Sequence, residues 1–185
     1  MYFNTASLAF IAMIVTSTSA APAPESLPVN HCGQATADRK ADLISKGATS
    51  QDLAITIQET ACAMNSAYAY GDNKQGDAAN FGLFKNNWYT IRTYCSQFAG
   101  QQSEDFNNGA VLNTDDAAAI QCQHEQQAGA GDQWWARQRG GETPGGCSAD
   151  PTGDIYRNAV GQITAFIDAG NRENGDVIDP QVTAC

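Results

Sequence analysis

Ser50–Gln51–Asp52–Leu53–Ala54–Ile55–Thr56–Ile57–Gln58–Glu59–Thr60–Ala61–Cys62–Ala63–Met64 is followed, five residues on, by Tyr70–Gly71–Asp72–Asn73–Lys74–Gln75–Gly76–Asp77. The first stretch predicts a helix from Gln51 to Met64 or Asn65. Leu53, Ile57, Ala61 and Met64 recur at i, i+4, i+8 and i+11 and so share one face. Ser50 is the expected N-cap, and Asp52 suits the positive end of the helix dipole. The second stretch is polar and carries two glycines, which predicts turns or a small hairpin. An apolar helix delivering the chain into a polar turn region is the unit on which the rest of the reading is built.

Outward from that unit, most signals are helical. Ala35 to Lys46 reads as a helix stopped by Gly47, and Phe84 to Cys95 as a helix carrying Trp88, Ile91 and Arg92. Asn113–Thr114–Asp115–Asp116 caps a helix from Asp115 to about Gln127. Gln133 to Arg139 holds Trp134–Trp135 and ends at Gly140–Gly141. Pro151 to Ala169 is a long helix with Ile155, Val160, Ile163 and Ile167 as apolar positions and Gly170 as its stop. Strand signals are confined to about 66–82. The expected class is mostly helical α+β.

The N-terminus reads as export machinery. Leu8 to Val15 is an apolar run of eight, and Thr18–Ser19–Ala20 supplies the small residues of a cleavage site, so 1–20 is expected to be a signal peptide. The run is shorter than the roughly 20 residues a membrane span needs. Residues 21–30 hold Pro22, Pro24 and Pro28 and form a stiff Pro/Ala-rich lead-in. Residues 31–185 then make one catalytic domain, with secretion as the expected destination. The six cysteines, Cys32, Cys62, Cys95, Cys122, Cys147 and Cys185, all lie in it. In an oxidising compartment they predict three disulfides, with fifteen pairings open. With no Cys-x-x-Cys pair and two histidines, a metal site is not expected.

The chain carries 20 acids against 10 bases, for a net charge of −10, and 42% of its residues are hydrophobic. That balance excludes a phosphate-backbone partner and intrinsic disorder. Two acids stand out. Glu59 lies in an apolar helix with Ile55, Cys62 and Ala63 as helical neighbours, and desolvation there favours the neutral acid that a general acid must be. Asp72 lies 13 residues on in a Gly-flanked polar turn, where a carboxylate stays ionised. Asp77, also preceded by glycine, is a second candidate. Two carboxyl groups in contrasting environments are the working parts of a glycosidase. A chain with this many acids also places such a pair by chance, with Glu59 solvated and Asp72 a turn former.

Tyr68, Tyr70, Phe81, Phe84, Trp88, Tyr89 and Tyr94 crowd around the same region, and Asn80, Gln123, Gln126 and Gln133 are among the amides that would hydrogen-bond a sugar. About half of these aromatics are expected in the core. Trp134 and Trp135 are adjacent on one helix, so one of them is expected to face outward. His31 reads as a surface residue. His124, after Cys122 on a helix, reads as packing or hydrogen-bonding, with a ligand contact as the alternative. No Gly-x-Ser-x-Gly elbow, phosphate loop or EF-hand pattern is present.

The run Gln58–Glu59–Thr60–Ala61–Cys62, followed by the segment from Tyr70 through Asp72, Asp77, Asn80, Phe81 and Lys85 to Trp88, resembles glycoside hydrolase family 134. Asp132 to Gly140, with Trp134–Trp135, is similar to that family too. The resemblance covers most of the chain from about Cys32. It implies a lysozyme-like fold with a small hairpin, secretion, and inverting cleavage of β-1,4-mannan without a cofactor. A monomer is the default for a small secreted depolymerase, and the charge and the short apolar run set aside nucleic acid and membrane as partners. The resemblance makes Glu59 the general acid and Asp72 the general base, with Tyr70, Asp77, Asn80, Phe81, Lys85, Trp88, His124, Trp134 and Trp135 as substrate-contact candidates. An inverting pair stands roughly 6.5–9.5 Å apart, which leaves room for the attacking water. Chitosan, chitin or peptidoglycan as substrate, and a non-enzymatic glycan-binding module, are the alternatives. The negative charge weighs against an anionic cell wall.

Overall fold

The computed structural model describes residues 27–142 and 146–182. The expected signal peptide, residues 21–26 of the lead-in, and Cys185 lie outside the described residues. Strand β1 (Val29–His31) pairs antiparallel with β4 (Asp176–Ile178), Val29 opposite Ile178. The last two residues of the segment read as lead-in therefore belong to this small sheet, which joins the two ends of the described chain.

Helix α1 (Gln34–Ser45) is followed by α2 (Ser50–Thr60). The cap of α2 is Thr49 rather than Ser50. The Asp52 N–H donates to Thr49 Oγ1 at 3.1 Å, and Asp52 Oδ2 accepts the Thr49 N–H at 2.8 Å, a reciprocal box that satisfies two orphan donors. The helix stops at Thr60, short of the expected Met64, because Ala61 turns into the left-handed region at φ 53°. Cys62 is drawn toward α1 instead: it is bonded to Cys32, and its carbonyl accepts from Thr36 Oγ1 at 2.9 Å.

The hairpin lies later than the strand signals placed it. Strand β2 (Asn80–Phe81) pairs with β3 (Asn86–Asn87), and the turn between them uses Gly82 and Lys85 at positive φ. Helix α3 therefore covers Trp88–Tyr94 and does not begin at Phe84; the Asn87 side chain caps it by accepting the Thr90 N–H at 3.0 Å. A 3-10 segment at Ser103–Asn113, not foreseen, leads into α4 (Asp116–Ala130), capped by Asp115 as expected. Then come α5 (Trp134–Gly140) and α6 (Asp154–Phe166), the latter continued by a wider turn to Asn171. The fold is α+β, mostly helical and lysozyme-like, with two small sheets and disulfides.

Helices α2 and α6 pack along their length. They run antiparallel: Arg172, just past α6, donates to Ser50 Oγ at 2.8 Å at one end, and Tyr156 reaches Glu59 at the other. Leu53, Ile55 and Ile57 bury against Tyr156, Val160, Ile163 and Ile167 in the core cluster. Each fully buried aliphatic side chain contributes about 1.5–3 kcal/mol. The α6 phase is 156, 160, 163, 167. Ile155, expected inside, is 45% exposed, and Tyr156 takes its place.

Two disulfides, Cys32–Cys62 and Cys95–Cys122, clamp the fold. Cys147 is also disulfide-bonded. Lys40 is wholly buried, and its Nζ donates to the carbonyls of Asn171, Asn174 and Asp176 at 3.0, 3.0 and 2.6 Å, which ties α1 to the strand β4 segment. Burial lowers its pKa from the ordinary lysine value. Among the described residues no helix is long and apolar enough to cross a membrane, and no group of three or more His, Cys, Asp and Glu is arranged to hold a metal.

Asp116 joins α4 to α1. Its carboxylate takes Arg39 in a two-pronged pair at 2.7 and 2.8 Å and Lys46 at 2.8 Å. The Arg39 hydrogen bond, followed by Lys46, holds its pKa down to about 2. A depressed carboxylate stabilises the fold above its unfolded pKa of about 3.9, and that contribution disappears as pH falls through the folded value. Asp116→Asn is expected to cost about 1 kcal/mol at pH 7, after allowance for solvent screening. In urea unfolding, the gap between variant and parent should close as pH falls from 4 to 2. A gap independent of pH over that range would contradict the linkage.

Candidate active site

Glu59 sits in the last turn of α2, where the chain is about to leave the helix. Its Oε1 accepts the Tyr156 phenol at 2.6 Å, from a residue 97 positions away on α6. Tyr156 is 1% exposed. Asp150 aims that residue: its buried carboxylate accepts the backbone N–H groups of Ile155 and Tyr156 at 3.2 and 2.9 Å and so anchors the first turn of α6. Gly153 lets α6 lie directly on the Trp135–Ala136 backbone, at φ 75°, where any Cβ would collide with the Trp135 carbonyl. Gln138 of α5 also stands against Glu59. One of its amide hydrogens goes to Phe84 O at 2.8 Å, while its own oxygen is buried without a partner.

Burial pushes the Glu59 pKa above the ordinary glutamate value. The Tyr156 hydrogen bond, the Lys85 charge, Gln138 and Arg139 act in the opposite direction without cancelling it. Tyr156 itself is raised well above the ordinary tyrosine value, by burial first and then by Glu59, so it remains a donor. The anticipated desolvation is present. Cys62 and Ala63 lie past the helix end, although Ala63 borders the same cleft as Glu59.

Asp72 occupies the turn at 70–74. The Asp72, Asn73 and Lys74 N–H groups donate to Ala69, Tyr70 and Gly71 carbonyls at 2.7, 3.1 and 3.0 Å, and both Asp72 and Asn73 take positive φ. Gly71 is needed there because a Cβ would stand 2.7 Å from Lys74 O. Asn80 Nδ2 donates to Asp72 Oδ2 at 3.2 Å, so β2 sets the carboxylate. Tyr68 connects the two acids. Its hydroxyl donates to Gly82 O at 2.8 Å, and burial followed by the charges of Asp72 and Glu59 raises its pKa well above the ordinary tyrosine value. Lys85 Nζ lies 4.9 Å over the Tyr68 ring.

Glu59, Thr60, Asn65, Tyr68 and Lys85 border a cleft of about 160 Å³. Asn80, Gln138, Arg139, Lys74 and Ser148 border a second, of about 320 Å³. Each of the two reaches one of the acids or its hydrogen-bonding partner. A wider cleft of about 830 Å³ runs along the outer face of α6 past Trp135 and holds neither Glu59 nor Asp72. The carboxyl with the raised pKa lies outside that wide cleft.

The other candidates divide. Tyr70 is half exposed beside Asp72, and Asn80 and Lys85 border the clefts. Asp77 is committed to Arg92, with two contacts at 2.6 and 2.7 Å, and that guanidinium lowers its pKa. Phe81, Trp88 and Trp134 are buried. Of the tryptophan pair it is Trp135 that is partly exposed, lying between Tyr156 and Arg157. His124 pairs with Asp52 at 2.8 Å, seven residues before Glu59 and so about 10 Å away along α2. Sequence reasoning missed Tyr156, Gln138 and Asp150. A cleaner helical phase for α6, starting at 156 rather than 155, would have turned Tyr156 inward.

A helical carboxyl with a raised pKa and a loop carboxylate both bear on the Tyr68 phenol. The model of glycosyl hydrolase family 134 matches residues 37–179, and the chain belongs to that family. It is a glycoside hydrolase by family. A comparison with curated proteins gives no match.

Because the Tyr156 bond favours the ionised form of Glu59, Tyr156→Phe is expected to raise the Glu59 pKa further. Carboxyl-carbon NMR titration should place the midpoint higher in the variant than in the parent. An unchanged or lower midpoint would contradict this account of the bond.

Proposed function

We propose that the protein is a secreted endo-β-1,4-mannanase acting with inversion, with Glu59 as general acid and Asp72 as general base. The observation that carries this reading is the Tyr156-bound Glu59 carboxyl, pushed up by burial and opening on a cleft next to the Asp72 turn. A raised pKa extends upward the pH range in which Glu59 keeps a proton for the glycosidic oxygen. With Tyr156 occupying Oε1, the proton is carried on Oε2. Asp72, steadied by Asn80, takes a proton from a water that attacks the anomeric carbon from the opposite face. As the bond breaks and the proton passes to the leaving oxygen, the negative charge that develops on Glu59 is met by the Tyr156 hydroxyl and by Lys85 and Arg139.

Asp72 is favoured over Asp77 because Asp77 is neutralised by Arg92 and anchors the loop. Tyr70, Asn80, Lys85 and Trp135 serve the sugar. Phe81, Trp88 and Trp134 support the cleft walls from within, and His124 holds the far end of α2. Acid–base hydrolysis by two carboxyls calls for no metal or cofactor. Disulfide bonding and the apolar run at Leu8–Val15 support export. A neutral mannan is compatible with the net charge of −10.

Reducing-end release should occur on mannan or glucomannan and be weak on chitosan, chitin and peptidoglycan. Glu59→Gln and Asp72→Asn should each lower kcat by about 10²–10⁴-fold, and Asp77→Asn far less. The first-formed anomer, read by proton NMR, should be α. Near-parent activity in Glu59→Gln, or a β-anomer formed first, would overturn the mechanism.

A further inference from the structure

Beside the Asp72 turn lies a cleft of about 430 Å³ that the acid–base chemistry does not use, bordered by Tyr70, Asn73, Lys74, Gln75, Phe106 and Asn107. Two aromatic rings and four amide or amine side chains make up this border. Tyr70 is 51% exposed, an unusual state for a large ring in so small a fold. It is nevertheless held in place at two points. Its hydroxyl bonds Asn107 Oδ1 at 2.9 Å, and its ring meets the buried Phe81 edge to face, with centroids 5.5 Å apart. Phe81 in turn abuts Trp88 at 6.5 Å, so the exposed ring stands on a column of core aromatics.

The two walls of the cleft are also fastened together. Ser103 Oγ accepts the Asp77 N–H at 3.1 Å, linking the 70–77 loop to the 3-10 segment that carries Phe106 and Asn107. Gly76 stands so close to Ser103 that a Cβ would lie 2.9 Å from its hydroxyl. An exposed ring immobilised in advance gives up little conformational entropy when a ligand lies on it. Lys74 borders both this cleft and the one shared by Asn80 and Gln138, so the two clefts lie on either side of one residue. Tyr70 and Asp72 are two residues apart, which puts their Cα atoms within about 7 Å of one another.

We infer that the Tyr70–Phe106 cleft is a glycan subsite flanking the point of cleavage, where a hexopyranose of the polymer stacks on Tyr70 and Phe106 and hydrogen-bonds Asn73, Gln75 and Asn107. A pyranose presents an axial C–H face that matches an aromatic ring and equatorial hydroxyls that match amides, and the border of the cleft supplies both. The subsite reads chain length: a substrate long enough to span both clefts gains binding that a shorter one does not. This inference rests on the proposed glycan-hydrolysing role of Glu59 and Asp72, and it names where the polymer extends from them.

The test is calorimetric binding in the Glu59→Gln background, with β-1,4-linked mannohexaose and mannotriose, and with chitohexaose and cellohexaose as the other probes. Tyr70→Ala and Phe106→Ala should each weaken hexasaccharide binding about tenfold. Trisaccharide binding should change by less than about twofold. Tyr70→Phe keeps the ring and should stay within about threefold of the parent for the hexasaccharide. Phe106→Ala carries the test by itself if circular dichroism shows Tyr70→Ala unfolded. Equal losses for long and short ligands, or no loss in either alanine variant, would overturn the subsite. Binding of chitohexaose in place of mannohexaose, with the same sensitivity to Tyr70, would remove the mannan assignment and leave the subsite standing. Failure to bind any of the four probes would overturn both.

Discussion

The contact between the Tyr156 hydroxyl and the Glu59 carboxyl rests on α2 and α6 packing antiparallel along their whole length. One end of that pair buries Leu53, Ile55 and Ile57 against Val160, Ile163 and Ile167. The other end brings the buried Tyr156 onto a half-buried carboxyl group that borders a cleft. A buried carboxyl without a partner would be costly. Here the phenol satisfies one oxygen and the lost solvation raises the pKa of the group, so the packing that stabilises the fold also shifts the acidity of Glu59.

The second acid is controlled in a different way. Asp72 and Asn73 follow Gly71 into positive φ, a conformation that in the two non-glycine residues must be held by its surroundings. The surroundings are the hairpin, through Asn80, and the 3-10 segment, through Ser103 and Asn107. Arg92 fixes the loop at its far end by taking Asp77. One carboxyl is thus positioned by a helix pair and the other by a network of loop hydrogen bonds, and Tyr68, bound to Gly82, lies between the two systems.

Much of this was legible in the chain. Glu59 stood out from the other acids by its apolar helical context, whereas the Gly-flanked turn region offered both Asp72 and Asp77, and the Arg92 pair that occupies Asp77 is visible only in the fold. The helices at 34–45, 116–130 and 134–140 follow their cap and stop signals closely. Other readings failed for identifiable reasons. The helix expected from Phe84 begins at Trp88 because Gly82 and Lys85 turn the hairpin, a choice between local conformations that apolar periodicity does not register. The helix expected to run to Met64 ends at Thr60 because a disulfide to Cys32 redirects the chain, and a bond across 30 residues leaves no local trace. Aromatic clustering around residues 68–94 pointed to the right region but did not distinguish Tyr70, which faces solvent, from Phe81 and Trp88, which do not.

The sequence by itself determined the helical class, the disulfide chemistry, the family to which the chain belongs and the two carboxyls singled out for acid–base work. The class, the disulfide chemistry and the choice of carboxyls follow from residue types at short spacing, where local physics decides; the family follows from the likeness of whole segments. Only the tertiary structure decided that Tyr156 and Gln138 flank Glu59, that Arg92 neutralises Asp77, and that Tyr70 and Phe106 share a cleft. Those pairings join residues from 15 to 97 positions apart. Their energy comes from burial and closed hydrogen bonds that exist only once α6 lies on α2 and the loop is pinned to the segment after α3.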